Sequence, residues 1–284
     1  MAINEQKIQV GKLEWFYREI SPLGSNHLGT VILLHGLPSQ SYCWGEIMED
    51  LAGKGFRAIA PDWIGSGKSS KPHRRDFAYT PTAFISALGE FFAALEISQF
   101  SLVIQGFLGS VGLQYALQFP EQVQRLAILN TPLTTAAKLP WSMQQWTIPL
   151  VGEMLTQDPL LIDRTLEKGT CYSIDDQYLD VYRRPFLTSS EAGRSLMATA
   201  QNLQLAEAMI AISAGFQTWE KPTLVCWGMR DPWLSFDLAA SFASSLPQKS
   251  MVETTQLPEA GHYPQEHFSG QISEVLLPFL RRQF

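Results

Sequence analysis

Four short segments hold the residue types that can do chemistry: His35-Gly36-Leu37-Pro38, Pro61-Asp62-Trp63-Ile64-Gly65-Ser66-Gly67-Lys68-Ser69, Met229-Arg230-Asp231-Pro232 and Ala260-Gly261-His262-Tyr263. Each follows a run that reads as a strand: TVILL, FRAIA, TLVCWG and a last one near residues 251–257. Loops beyond the carboxyl ends of parallel strands are where open α/β sheets gather functional side chains. A histidine and an aspartate in two such loops suit proton transfer, the imidazole moving the proton and the carboxylate orienting the ring. Asp231 also suits a helix cap or a turn ahead of Pro232, and a histidine can be purely structural. Metal chemistry has no support, because there is no H-E-x-x-H spacing and Cys43, Cys171 and Cys226 lie far apart outside any CxxC pattern. The stretch Gly65–Ser69 lacks the first glycine of a phosphate loop at the required distance.

These loops need a scaffold. Lys7 to Arg18 alternates apolar and polar residues, as antiparallel edge strands do. From residue 29 onward, continuous Val/Ile/Leu runs alternate with helical patterns over Trp44–Lys54, Pro81–Leu95 and Val111–Phe119, the signature of a doubly wound, mostly parallel sheet. Strands RLAILN and TLVCWG follow, and a helix from Gln271 closes the unit. Residues 133–217 carry no strand-like run, only helical patterns broken by Pro140, Pro149, Pro159 and Pro185. They read as a helical cap inserted into a core domain of residues 1–132 and 218–284. The cap's aromatic residues, Trp141 and Trp146 among them, suit either an apolar pocket over the strand ends or the cap's own core.

With HGLPSQSYCW, APDWIGSGKSSKP, CWGMRDPW and AGHYPQEH in this order, the chain resembles the α/β-hydrolase fold superfamily, and within it the haloalkane dehalogenase and epoxide hydrolase branch. The resemblance implies an α/β-hydrolase fold with His262 as catalytic base and Asp231 as its acid. Asn130, at the strand end where some dehalogenases keep that acid, does not ionise. The family's nucleophile sits at a strand-to-helix elbow, and SLVIQGFLGSVGLQYALQF aligns with it without a gap. Gln105 then precedes the elbow, Gly106 stands at the nucleophile position and Phe107 follows. Glycine keeps the positive-φ turn but supplies no nucleophile. Leu108 stands where the family has glycine, which predicts a looser approach of helix to strand. Sliding the register by four puts Ser110 in a G-x-S-x-G-like context, one turn inside the helix. Leu37 and Phe107 replace the side chains with which dehalogenases hold halide, although their backbone N–H groups can still form an oxyanion hole. His35, Gln105, Trp141 and Trp146 complete the expected substrate contacts.

The functional expectation is therefore a hydrolase or lyase acting on a small apolar carbonyl or ester-type substrate, by His262/Asp231 acid–base catalysis and without a cofactor. The alternatives are a catalytically silent protein holding a ligand or partner in the same pocket, and a serine hydrolase using Ser110. A net charge of −6 argues against nucleic acid as a partner. No run of about 18 apolar residues suggests a membrane span. Dispersed cysteines and a polar amino terminus suggest a cytoplasmic protein.

Overall fold

The computed structural model describes residues 2–22, 24 and 27–283. Among these, eight strands form one sheet: β1 (Asn4–Val10), β2 (Leu13–Ile20), β3 (Gly29–Leu34), β4 (Phe56–Pro61), β5 (Phe100–Gln105), β6 (Val123–Leu129), β7 (Thr223–Gly228) and β8 (Val252–Leu257). Their spatial order is β1-β2-β4-β3-β5-β6-β7-β8. The β1–β2 and β2–β4 pairs are antiparallel, and every later pair is parallel. Strands β5 and β7 are buried along their whole length, as strands covered on both faces must be.

Helices α1 (Gly45–Gly53), α2 (Pro81–Ala94) and α3 (Gly109–Gln118) connect the central strands, and α10 (Phe236–Ser245) and α11 (Ser269–Arg281) flank β8 in sequence. Thr80 starts α2 by accepting the Ala83 N–H at 3.3 Å, with Pro81 in the first turn where no amide proton is needed. α10 has no counterpart among the sequence expectations. α3 begins two residues earlier than expected, which places Ser110 in its first turn. The looser helix–strand approach expected from Leu108 is not found. A Cβ on Gly112 would lie 2.7 Å from Ile104 Cγ2, so the next glycines along the helix preserve the close approach.

Between β6 and β7 run α4 (Trp141–Gln144), α5 (Val151–Thr156), α6 (Leu160–Thr170), α7 (Asp176–Thr188), α8 (Ser190–Asn202) and α9 (Leu205–Gly215). Helix α9 packs on α3, with Gly215 against Leu117, so the segment expected as cap ends in a helix that belongs with the core. Pro185 does not break a helix as expected; it lies inside α7. Its missing N–H frees the carbonyl of Val181, and Gln40 of the core donates its side-chain amide to that oxygen at 2.7 Å. The helix survives because the core satisfies the group that proline orphaned.

Candidate active site

Strand β5 ends at Gln105, and Gly106 turns the chain with φ of +72° before α3 begins. A side chain at this position would meet three groups: its Cβ would lie 3.5 Å from His262 Nε2, 3.7 Å from the Leu37 N–H nitrogen and 2.9 Å from Gly36 Cα. The elbow thus points at the imidazole, and the loop after β3 presses against it through a second glycine.

His262, in the loop after β8, is fully buried (0% exposed) and fixed on every side but one. Its backbone N–H donates to Gly169 O of α6 at 2.7 Å, and its carbonyl accepts from Gln105 Nε2 at 2.7 Å. Its Nδ1 lies 2.8 Å from Asp231 Oδ2. With a carboxylate on that side, the neutral ring carries its proton on Nδ1 and its lone pair on Nε2. Nε2 has no hydrogen-bond partner among the described residues, a condition it shares with other buried nitrogens such as Trp15 Nε1 and Trp44 Nε1. Phe107 stacks on the ring at 5.2 Å between centroids, and Trp233 and Tyr263 pack against it at 4.7 and 4.8 Å.

Asp231, just after β7, is held as firmly. The backbone N–H groups of Trp233 and Leu234 donate to Oδ1 at 2.8 and 3.0 Å. Asn130 Nδ2 donates to Oδ2 at 2.8 Å, while Asn130 Oδ1 accepts from the Gly228 N–H at 2.8 Å. Asn130, which the sequence presented only as an absent acid, is the clamp that ties the end of β6 to the acid after β7. Two neighbouring strand ends carrying Asn and Asp were the available signal.

The Leu37 and Phe107 amides, on either side of the elbow, donate to no protein acceptor among the described residues. Tyr263 fixes the Leu37 peptide by donating its hydroxyl to the carbonyl at 2.5 Å. Two free N–H groups and one free imidazole nitrogen therefore border the place where a side chain at 106 would start.

The residues expected to contact substrate are placed as follows. His35 is buried as a strut between loops, its Nδ1 2.8 Å from Gly36 O and its Nε2 accepting the Trp63 N–H at 3.2 Å. Burial pushes its imidazole below the usual range, which keeps it neutral. Gln105 clamps the His262 loop. Trp141 is 65% exposed on the outside of the cap, and Trp146 is buried inside it, with Gly152 packed on its backbone. Ser110 donates its hydroxyl to Phe107 O at 2.8 Å and makes no hydrogen bond with His262, as the serine-hydrolase alternative would need.

One further titratable group lies near the site. Glu266 lies four residues beyond His262 and accepts from the Tyr182 hydroxyl of α7 at 2.7 Å. Burial pushes its carboxyl up to about 7, with Glu46 adding to the rise and Tyr182 opposing it. Among the described residues no group of three or more His, Cys, Asp or Glu is placed to hold a metal ion, and no helix is long and apolar enough to cross a membrane.

A mostly parallel sheet with a positive-φ strand-to-helix turn after β5, an acid after β7 and a histidine after β8 defines the class of protein. Residues 29–268 match the alpha/beta hydrolase fold family, and the chain belongs to it. Among its relatives, a cis-3-alkyl-4-alkyloxetan-2-one decarboxylase of Xanthomonas campestris is 26% identical over 274 residues, covering 88% of this chain and 86% of that protein. A haloalkane dehalogenase of Mycolicibacterium paratuberculosis is 28% identical over 257 residues, covering 87% and 82%. The solved haloalkane dehalogenase of Bradyrhizobium elkani superposes with a TM-score of 0.86 at 25% identity, covering 98% of each chain.

Proposed function

We propose that this protein is a hydrolase or lyase that acts on a small apolar carbonyl compound, an ester or lactone in type, by acid–base catalysis without a covalent intermediate. The observation that carries this reading is the buried, unpartnered Nε2 of His262, 3.5 Å from where the first carbon of an elbow side chain would stand. Asp231 holds the imidazole in the tautomer that leaves Nε2 as a proton acceptor, and leaving such a buried atom unpaired costs about 1–3 kcal/mol. In the proposed reaction Nε2 takes a proton from water or from the substrate, and Asp231 stabilises the imidazolium that forms. Negative charge developing on the substrate oxygen meets the Leu37 and Phe107 N–H groups. Gly106 leaves Nε2 without a protein hydroxyl or carboxylate to bond, so its acceptor or donor comes from the reactants. Leu37, Phe107 and Trp233 make the surroundings apolar, in keeping with relatives named for haloalkanes and an alkyl-substituted oxetanone. Dehalogenation itself is outside the proposal, because Gly106 offers no carboxylate.

A panel of esters, β-lactones and thioesters run on the parent and on His262→Ala tests this. Turnover should fall by about 10²–10⁴-fold in the variant. Equal background rates for both proteins across the panel would refute the reading. That outcome would favour the second one, a binding protein with a silent site, which the complete burial of His262 and the press of Gly36 against the elbow support.

A further inference from the structure

The outer face of the cap carries large apolar side chains that nothing among the described residues covers. Trp141, Ile148, Leu150, Val151 and Met154 are all exposed, with Leu150 at 72% and Met154 at 78%. They fall within residues 141–154, a stretch whose one charged residue is Glu153. Val151 and Met154 are one turn apart on α5 and share a face. At the tip, Leu150 has φ of +67° and ψ of −50°, and the Val151 N–H closes on Pro149 O at 2.8 Å. This is the rare, strained hand of γ-turn, in which glycine would sit without penalty. A leucine held there and pushed into solvent adds nothing to the fold, which points to a role outside it.

Beside α5 lies a cleft of about 520 Å³ lined by Glu153, His73, Arg74, Glu191 and Arg194, among others. Neither Arg74 nor Arg194 forms an ion pair among the described residues; Arg194 donates only to Ser190 Oγ at 2.7 Å. Most other arginines, such as Arg57, Arg164, Arg183 and Arg282, are paired with carboxylates. The protein, acidic overall, thus gathers Lys71, Arg74 and Arg194 in a cleft that Glu153 of α5 borders, against the two carboxylates Glu153 and Glu191 in the same lining. Apolar side chains with an exposed tryptophan, flanked by free basic groups, form the combination that enters the headgroup region of a negatively charged bilayer.

We propose that the cap docks on the surface of a lipid bilayer carrying anionic headgroups, inserting Leu150, Met154 and Trp141 while Arg74 and Arg194 meet the headgroups. This does not rest on the acid–base reading of His262. The test is sedimentation of the full chain with vesicles of phosphatidylcholine, with and without phosphatidylglycerol. The parent should bind the anionic vesicles and release as salt rises. Leu150→Gly relieves the turn, so it should fold at least as stably as the parent yet bind about tenfold more weakly. Arg74→Gln and Arg194→Gln should each weaken binding about fivefold and flatten the salt dependence. Trp141 is the most exposed tryptophan, so brominated acyl chains should quench its emission in the parent and have little effect on Trp141→Phe. Failure of the parent to bind either vesicle would overturn the proposal, as would unchanged binding by Leu150→Gly. A concentration-dependent dimer that Leu150→Gly abolishes, with no vesicle binding, would assign the face to a second copy of the chain and also overturn it.

Discussion

Gly106 sits where two constraints meet. Its φ of +72° disfavours any side chain, by roughly 1–2 kcal/mol for an L-residue. The Cβ of a substituted residue would also stand 2.9 Å from Gly36 Cα, so the backbone of that loop would have to shift. The same geometry aims that Cβ at His262 Nε2. Gly106→Ser should therefore fold with a loss of about 1–3 kcal/mol in a denaturant titration. A crystal structure of the variant should show the new hydroxyl within hydrogen-bond reach of Nε2. A hydroxyl turned away from the imidazole would mean that the elbow does not serve the histidine. The identity of residue 106 was plain from the gap-free alignment of one segment. The roles of Asn130 and Gln105 were not, because each depends on a hydrogen bond between loops distant in sequence.

Among the elements, α6 and the His262 loop show how closely the cap bears on the site. Gly169 O accepts the His262 N–H, and a Cβ on Gly169 would stand 2.3 Å from the Tyr263 ring and 2.9 Å from Trp233. Gly261 approaches the same helix end, its virtual Cβ 2.2 Å from Gly169 O. Gly169→Ala should destabilise the protein by about 1–3 kcal/mol, since overpacking forces ring and backbone shifts. At roughly 2–4 °C per kcal/mol for a chain of this size, the loss is readable as a fall in Tm. An unchanged Tm would show that cap and His262 loop separate easily. The strands and helices that position these loops were legible from apolar runs and helical periodicity, and TLVCWG was placed to the residue. Pro185 misled because helix breaking is a local rule, and the Gln40 side chain that compensates for it comes from the core.

For the molecule as a whole, Glu266 couples ionisation to folding. Its carboxyl, ordinarily near 4.5, is held at about 7 in the folded chain, among Tyr182 of α7, Glu46 of α1 and the Cys43 thiol. A raised acid pKa means that the folded state keeps a proton the unfolded state has released. Its contribution is therefore most favourable below about pH 4.5, weakens as pH rises towards 7 and is level above that. Glu266→Gln keeps an acceptor for Tyr182 and removes the titration. The variant should gain on the order of 2–3 kcal/mol relative to the parent between pH 4.5 and pH 8, measured by denaturant melts across that range. Parallel pH profiles for the two proteins would show that folding does not raise the Glu266 carboxyl above its ordinary value.

Short-range pattern was enough for the sheet class, the helical insertion, the places of Asp231 and His262 in loops after strands and that of Gly106 at the end of β5. These follow from apolar periodicity and from motifs whose residues are neighbours in the chain. Three-dimensional packing alone assigned His35 and Gln105 to structural work, exposed Trp141, buried Trp146 and gave Ser110 a local carbonyl partner. It also brought Arg74 and Arg194 together in a cleft bordered by Glu153 of α5. The −6 charge of the whole chain hides that local balance, because burial and charge neighbourhood depend on which distant segments meet. Gly106 belongs to both levels: its identity is read from the chain, and the free imidazole nitrogen it faces is visible only in the folded molecule.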